Sequence, residues 1–481
     1  MKNGMKMGVV FGTILMLVFV AYTALALNLG MSQTRETESV VTTIMPENNL
    51  GLLEAELAFE SEGVSEAALS SASSVKEVIP WWVDIVNAEP VDIPNEGEGV
   101  NIAVLDTGLV GLWKNYLPTG NILTQYGKGF TNDITWDSST GDFEIGPLRD
   151  NRGYITYQWG NGHGTAVTGM ITGYYLQAFD GLVYVRGVAP KAKIIPVLVE
   201  DCWLVNCPDS SYPGCHGGKV LFTEPGTEAL ACAAGIKYAA DLSEKLDGPM
   251  VISMSLGYWD HIEELEEAVN YAIEKGCIIT VCAMNEGYSG MGYPAAFPQV
   301  ISCAAGGWTE IWYGNPYYLF WRGDYKDVPE KLNTVDYLGN NQQIYLAGFS
   351  SRPNKALGQK AQDLDVTAPG HYVLAPYKNT AYWTGSYWAW PMPSYYWLHG
   401  TSFACPITAG IAAIVLSEYP DVEQAEMEKV LKTAAHGLPL SCDGASVYYG
   451  NWNYEWKGTD YGAGFIQADA AMKCADSFCK K

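Results

Sequence analysis

Short, unbroken apolar runs alternate along the chain with amphipathic or small-residue stretches. "GVNIAVLDTGL" (99–109) is an apolar run ending on an acid and a turn, "GVAPKAKIIPVLV" (187–199) is one that follows a turn, and "MVISMSLG" (250–257) and "CIITVCAMNEG" (277–287) are two more, as strands buried on both faces are. Between them, "GTEALACAAGIKYAADL" (226–242) has the small, apolar periodicity of a packed helix and "HIEELEEAVNYAIEKG" (261–276) that of an amphipathic one. Two more helices are predicted at 403–418, rich in Ala and Ile, and at 421–436, followed by "YGAGFIQADAA". The alternation predicts an α/β fold with a mostly parallel central sheet and helices on both faces. Ligand groups in such sheets gather beyond the carboxyl ends of the strands. Asp106 and Asn285 both stand at the end of an apolar run. No internal repeat is evident.

The N-terminus, "MKNGMKMGVVFGTILMLVFVAYTALALNLG", sets Lys2 and Lys6 before an apolar stretch that closes on Ala24-Leu25-Ala26. It reads as a secretory signal cut after Ala26. Left uncut, it is long enough to anchor the protein in a bilayer, facing outward. Residues 31–75 are acidic, and "NNLGLLEAELAFESEGVSEAALSSASS" reads as one short helix and a linker before the texture changes at Pro80. Polar and aromatic inserts occupy 111–160, 308–345 and 371–398. The last holds "YWTGSYWAWPMPSYYWLHG", which suits packing over the core and equally offers a recognition surface for an extended chain.

Composition narrows the setting. Of 481 residues 48% are hydrophobic, which excludes a wholly disordered chain. The 28 Lys+Arg against 53 Asp+Glu give a net charge of -25, which disfavours nucleic acid or anionic lipid as principal partner and suits a salty or calcium-bearing setting. Eleven cysteines fit an oxidising compartment, with at least one left unpaired in a monomer. Cys202, Cys207 and Cys215 cluster in a loop-like stretch where a disulfide is plausible; with His216 they could instead bind zinc, though the spacing is not a familiar one. Cys442, Cys474 and Cys479 could staple the C-terminal tail, and Cys277, Cys282, Cys303 and Cys405 read as buried thiols.

Candidate chemistry begins with "HGTSFACPITAG" (399–410), where Ser402 stands at a helix start and could be a cap or a nucleophile. Among six histidines (His163, His216, His261, His371, His399 and His436) only His163 lies in a Gly-His-Gly-Thr context, where small neighbours allow close approach to the ring. Asp106 could close a turn or hold an imidazole tautomer. Asn285 could cap a turn or offer its side-chain N–H to an oxyanion. They follow one another as Asp, His, Asn, Ser, and Asp, His, Ser is one of the known orders of a catalytic triad.

Taken together, "VNIAVLDTG", "NGHGTAVTG", "GVAPKAKI", "SMSLG", "NEG", "GYPAAFPQVISCAA", "FSSR", "LDVTAPG", "GTSFACP" and "YGAGFIQA" resemble, in order from about Pro80 to Ala471, the subtilisin-like serine protease family. The resemblance implies a three-layer subtilisin-like fold and a secreted serine endopeptidase needing no cofactor for catalysis. It implies that Asp106 orients His163, that His163 takes and returns the proton, and that Ser402 attacks the scissile carbonyl. Asn285 and the Ser402 backbone N–H would form the oxyanion hole. The partner would be an extended polypeptide, bound between 181–186 and 255–257, with no nucleic acid and a membrane only if the apolar N-terminus is retained. First-pocket walls would be Ser255-Leu256-Gly257, Ala283-Met284 and "GYPA" from Gly292; no acidic residue stands among them, so an apolar or aromatic residue is expected before the cleaved bond. Structural calcium is implied without assignable ligands, with "TNDITWDSSTGDFE" (131–144) as weak support. The expected domains are a signal or anchor (1–26), a short acidic leader standing where the family carries a propeptide (27–75), and a catalytic domain (76–481). If the leader inhibits, cleavage near Ser74 to Glu77 would release the mature enzyme.

Three positions depart from the family pattern. Met284 replaces the usual glycine before the asparagine, which should narrow or lid the pocket; Ala166 replaces a second histidine; Cys405 replaces a small serine and brings a thiol near the nucleophile, where thiol reagents could act. Two other functions share the motifs: a peptide-binding module with a blocked cleft, and an acyl hydrolase of small esters.

Overall fold

The computed structural model describes residues 55–59, 63–65, 68, 75–137, 142–156, 160–178, 181–206, 215–222, 225–308, 344–380, 382–389, 391–435, 448–449, 452–453, 456–458 and 460–479. The signal-like segment 1–26, most of the acidic leader, most of the 308–345 insert, Cys207, His436 and Cys442 lie outside these. In chain order the elements are β1 (Ala55–Phe59), β2 (Lys76–Val78), α1 (Trp81–Asp84), β3 (Asn101–Asp106), β4 (Lys128–Asp137), β5 (Asp142–Arg152) and α2 (His163–Thr172). There follow β6 (Tyr174–Ala178), β7 (Gly181–Val185), β8 (Lys193–Leu198), β9 (Trp203–Asn206), β10 (Lys219–Phe222), α3 (Pro225–Ser243), β11 (Met250–Met254), α4 (Glu263–Glu274) and β12 (Ile278–Cys282). The rest are β13 (Ile301–Trp308), β14 (Ile344–Leu346), β15 (Val366–Pro369), β16 (His371–Tyr377), β17 (Tyr382–Trp383), β18 (Trp388–Ala389), β19 (Ser394–His399), α5 (Thr401–Glu418), α6 (Gln424–Ala434) and α7 (Ala468–Cys479).

The main sheet runs β14-β13-β12-β11-β3-β8-β4-β5, with β15 also on β13. Neighbours from β13 to β4 are parallel, and only β14 and β5 at the edges run antiparallel. β3, β11 and β12 are buried at every position, the reason their sequences read as unbroken apolar runs. α5 packs on β11, β12 and β13 and beside α2, while α3 and α4 pack together over β4, β11 and β12, which gives the three-layer α/β arrangement. α4 buries Leu265, Ala268, Val269 and Ala272 on one stripe and puts Glu263, Glu264 and Glu266 in its first turn, where the helix field favours negative charge. α5 is apolar and long enough to cross a membrane by composition, but 89% of it is buried in the protein, as a core helix is.

Two expectations are corrected. The leader segment Ala55–Phe59 is a strand, not part of a helix: it pairs antiparallel with β19, Ala55 opposite Leu398 and Phe59 opposite Tyr395. β7 cannot supply an edge to a substrate strand, because it lies between β2 and β6 with both edges already paired.

β16 and β19 place His371 opposite His399, rings 4.7 Å apart. His371 Nδ1 and the Tyr345 hydroxyl share a hydrogen bond of 2.6 Å, and the Tyr372 N–H donates to His399 Nδ1 at 3.2 Å. Burial disfavours charge on both rings, holding His371 well below its ordinary value and His399 down at about 3. Unfolded, each takes a proton near pH 6.5. Stability is therefore complete above about 6.5 and is lost as pH falls from there toward 3. The loss amounts to several kcal/mol, since a tenfold change in proton affinity is worth about 1.4 kcal/mol. Asp365 opposes this in part, since burial raises its carboxyl to about 6 and folding then favours its protonated form. The thermal midpoint of the wild type should fall faster between pH 7 and 4 than that of His399→Asn; parallel slopes would remove the pair from the account.

Candidate active site

Asp106 is the last residue of β3 and is fully buried at the carboxyl end of a central strand. Its Oδ1 accepts the Thr107 N–H at 2.7 Å, and both carboxylate oxygens lie 2.9 Å from His163 Nδ1. His163 opens α2, its N–H donating to Asn161 Oδ1 at 3.1 Å. The helix start is sewn to the turn after β3: Gly164 N–H donates to Thr107 Oγ1 at 3.0 Å, and Val110 N–H to Thr165 Oγ1 at 2.9 Å. Only glycine allows this approach, because a Cβ on Gly164 would lie 2.3 Å from Gly108 O. The "GHGT" context thus has a steric cause.

Ser402 is the second residue of α5 and is 4% exposed. Pro406 stands inside the helix and has no N–H, so the Ser402 carbonyl lacks its helical donor. Ser255 supplies one instead: its Oγ donates to Ser402 O at 2.6 Å, while Ser402 Oγ lies 3.5 Å from Ser255 O. The ring of Phe403 lies 5.7 Å from that of His163, which brings the start of α5 beside α2. Asn285 follows β12, and its Oδ1 accepts both the Thr401 N–H at 2.9 Å and the Thr401 hydroxyl at 3.0 Å. That fixes the amide so that Nδ2 faces away from Thr401. A Cβ placed on Gly400 would be 3.6 Å from both Asn285 Nδ2 and Ser402 N, so the two nitrogens flank the same glycine. The structure therefore joins Asp106 to His163, and sets beside them the start of α5, whose Thr401 holds Asn285 and whose second residue is Ser402.

The expected pocket walls are less uniform. Leu256 and Ala283 are core residues at 2% and 0% exposure, and Ser255 faces Ser402. Gly257 and Gly292 both lie against the Met284 side chain. Cys405 is fully buried, its Sγ 3.5 Å from Ser253 Oγ and from Thr280 Oγ1, so a thiol reagent reaches it only when the core opens. His216 stacks on Trp383 with centroids 5.6 Å apart, and among the described residues no group of three or more His, Cys, Asp or Glu could hold a metal ion. Sequence reasoning missed Thr401 as the residue that orients Asn285, and Ser255 as the partner of a carbonyl that Pro406 frees. The second was signalled by a proline four residues after the serine.

The fold is a mostly parallel sheet covered on both faces by helices, with a carboxylate-bound histidine at the carboxyl end of its strands. The chain belongs to the subtilase family, whose model, "Subtilase family" (Peptidase_S8), matches residues 97–464; it is a serine endopeptidase, a hydrolase of peptide bonds. It is 25% identical over 405 residues to M-protease of Shouchella clausii (strain KSM-K16), spanning 84% of this chain and 72% of that one. Similarity to subtilisin DY of Bacillus licheniformis is 25% over 379 residues, 78% of this chain and 96% of the relative. Among solved structures, fervidolysin from Fervidobacterium pennivorans superposes with a TM-score of 0.46 at 22% identity, over 82% of this chain and 45% of that one. Sphericase gives 0.47 at 23%, over 82% and 99%.

Proposed function

We propose that the protein is an exported endopeptidase in which Ser402 is the nucleophile, His163 the general base and acid, and Asp106 the group that holds His163 in the reactive tautomer. The observation that carries this reading is the buried carboxylate of Asp106 with both oxygens 2.9 Å from His163 Nδ1. A proton on Nδ1 leaves Nε2 as the acceptor of the serine proton. Attack closes the Ser402 Oγ–carbonyl carbon bond and places negative charge on the former carbonyl oxygen, which Asn285 Nδ2 and the Ser402 N–H, both beside Gly400, would receive. The positive end of α5 adds to that field. His163 then passes its proton to the departing amine, and water repeats the sequence on the acyl group.

The polypeptide substrate lies extended along 255–257, the edge that remains once β7 is closed on both sides. Nucleic acid and membrane play no part in the reaction. Export follows from the N-terminal sequence, and the disulfide-bonded state of Cys215 fits it. Structural calcium belongs to the family-based part of this reading, and no step uses it. Processing of the leader on the N-terminal side of Lys76 would keep β2, whose Glu77 is ion-paired to buried Arg186 at 2.9 Å.

A serine-directed fluorophosphonate should label the folded body at Ser402, located by peptide mass. Hydrolysis of a peptide amide should accompany it; turnover confined to small esters would favour the acyl hydrolase, and no labelling of folded protein the binding module.

A further inference from the structure

The residue whose carbonyl is attacked has its Cα about 1.5 Å from the reacting carbon. Its side chain therefore leaves the backbone within a few ångström of Ser402. Two segments border that space: 255–257, joined to Ser402 through Ser255, and 283–285, which carries Asn285. Across from Gly257 stands Gly292, kept there by reciprocal backbone bonds between Tyr258 and Tyr293 of 2.7 and 2.6 Å. Two glycines so placed would by themselves leave a recess.

Met284 occupies it. A Cβ on Gly257 would lie 2.8 Å from Met284 Cγ and Sδ, and one on Gly292 only 1.9 Å from Sδ. The thioether thus rests directly on both glycine backbones, and the residue is 9% exposed. Met284 takes a φ of 76°, a left-handed conformation that strains any residue with a side chain. Its flanks hold that geometry: Ser351 N–H donates to Met284 O and Ala283 N–H to Cys303 O, each at 2.9 Å.

We propose that Met284 sets specificity by filling the pocket for the side chain just before the cleaved bond, which restricts that position to glycine, alanine or serine. This rests on the catalytic reading above and narrows the expectation of an apolar or aromatic residue there. A phenylalanine or leucine side chain has no volume to enter unless the thioether leaves, and leaving strips it from two packed backbones.

The test is kcat/KM for a peptide series with fixed flanks and Gly, Ala, Leu or Phe before the cleaved bond, measured for wild type and Met284→Gly. Glycine takes the left-handed φ without strain, so the variant keeps the local backbone. Wild type should favour Ala over Phe by at least about 10-fold, and Met284→Gly should reverse that order. Wild type cutting after Phe or Leu as fast as after Ala, or an unchanged ratio in Met284→Gly, overturns the proposal. Fluorophosphonate labelling of Ser402 in both proteins separates the outcomes: labelling with an unchanged ratio refutes the role of Met284 alone, whereas no labelling in either refutes the catalytic reading beneath it.

Discussion

Ser402→Ala is expected to lower kcat for peptide hydrolysis by roughly 10⁶-fold, the size of loss known for removing the nucleophile of subtilisin, with KM little changed. The residual rate should still exceed that in water by about 10³-fold or more, because Asn285 Nδ2 and the Ser402 N–H stay in place. The variant should remain folded. The hydroxyl makes one long contact, 3.5 Å to Ser255 O, whereas the short bond from Ser255 Oγ goes to the backbone carbonyl, which alanine keeps. Active-site-titrated kinetics beside a thermal melt separate chemistry from folding. A loss below about 100-fold with an unchanged melt would mean that Ser402 is a helix-start residue and not the nucleophile.

Much of the fold was legible because the central strands are covered on both faces. β3, β8, β11 and β12 fall within apolar runs, and the residues at the ends of β3 and β12 stand where ligands gather. Elements decided by a distant partner were harder to read. "AELAF" suits a helix as well as a strand, and only the edge of β19 makes it a strand. The resemblance put a groove edge at 181–186, but β2 and β6 close both sides of β7. At the site, the residues proposed for the triad carry local signals, small neighbours around His163 and a turn after Asp106. The consequence of Met284 is not local: the sequence shows a methionine, while the pocket it fills is made by Gly257 and Gly292 from two other segments. Specificity was therefore less visible than reaction type.

Asp106→Asn is expected to lower kcat near neutral pH by about 10⁴-fold while leaving the fold intact. The reason lies in how the carboxylate is shared. Asp106 Oδ1 accepts the Thr107 N–H at 2.7 Å, so an asparagine keeps its oxygen on that side and turns its NH₂ toward His163. His163 Nδ1 then faces a donor in place of Oδ2 at 2.9 Å, while Oδ1, equally near, is already taken by the shorter bond from the Thr107 N–H, and the imidazole answers by carrying its proton on Nε2. Nε2 is the nitrogen that must receive the serine proton, so the base is blocked by tautomer and not by distance. The double variant Asp106→Asn/Ser402→Ala should be no slower than Ser402→Ala alone, since a base has nothing to activate once the hydroxyl is gone. A wild-type-like kcat in Asp106→Asn would break the link between the buried carboxylate and the reaction; a further loss in the double variant would mean that Asp106 acts apart from Ser402.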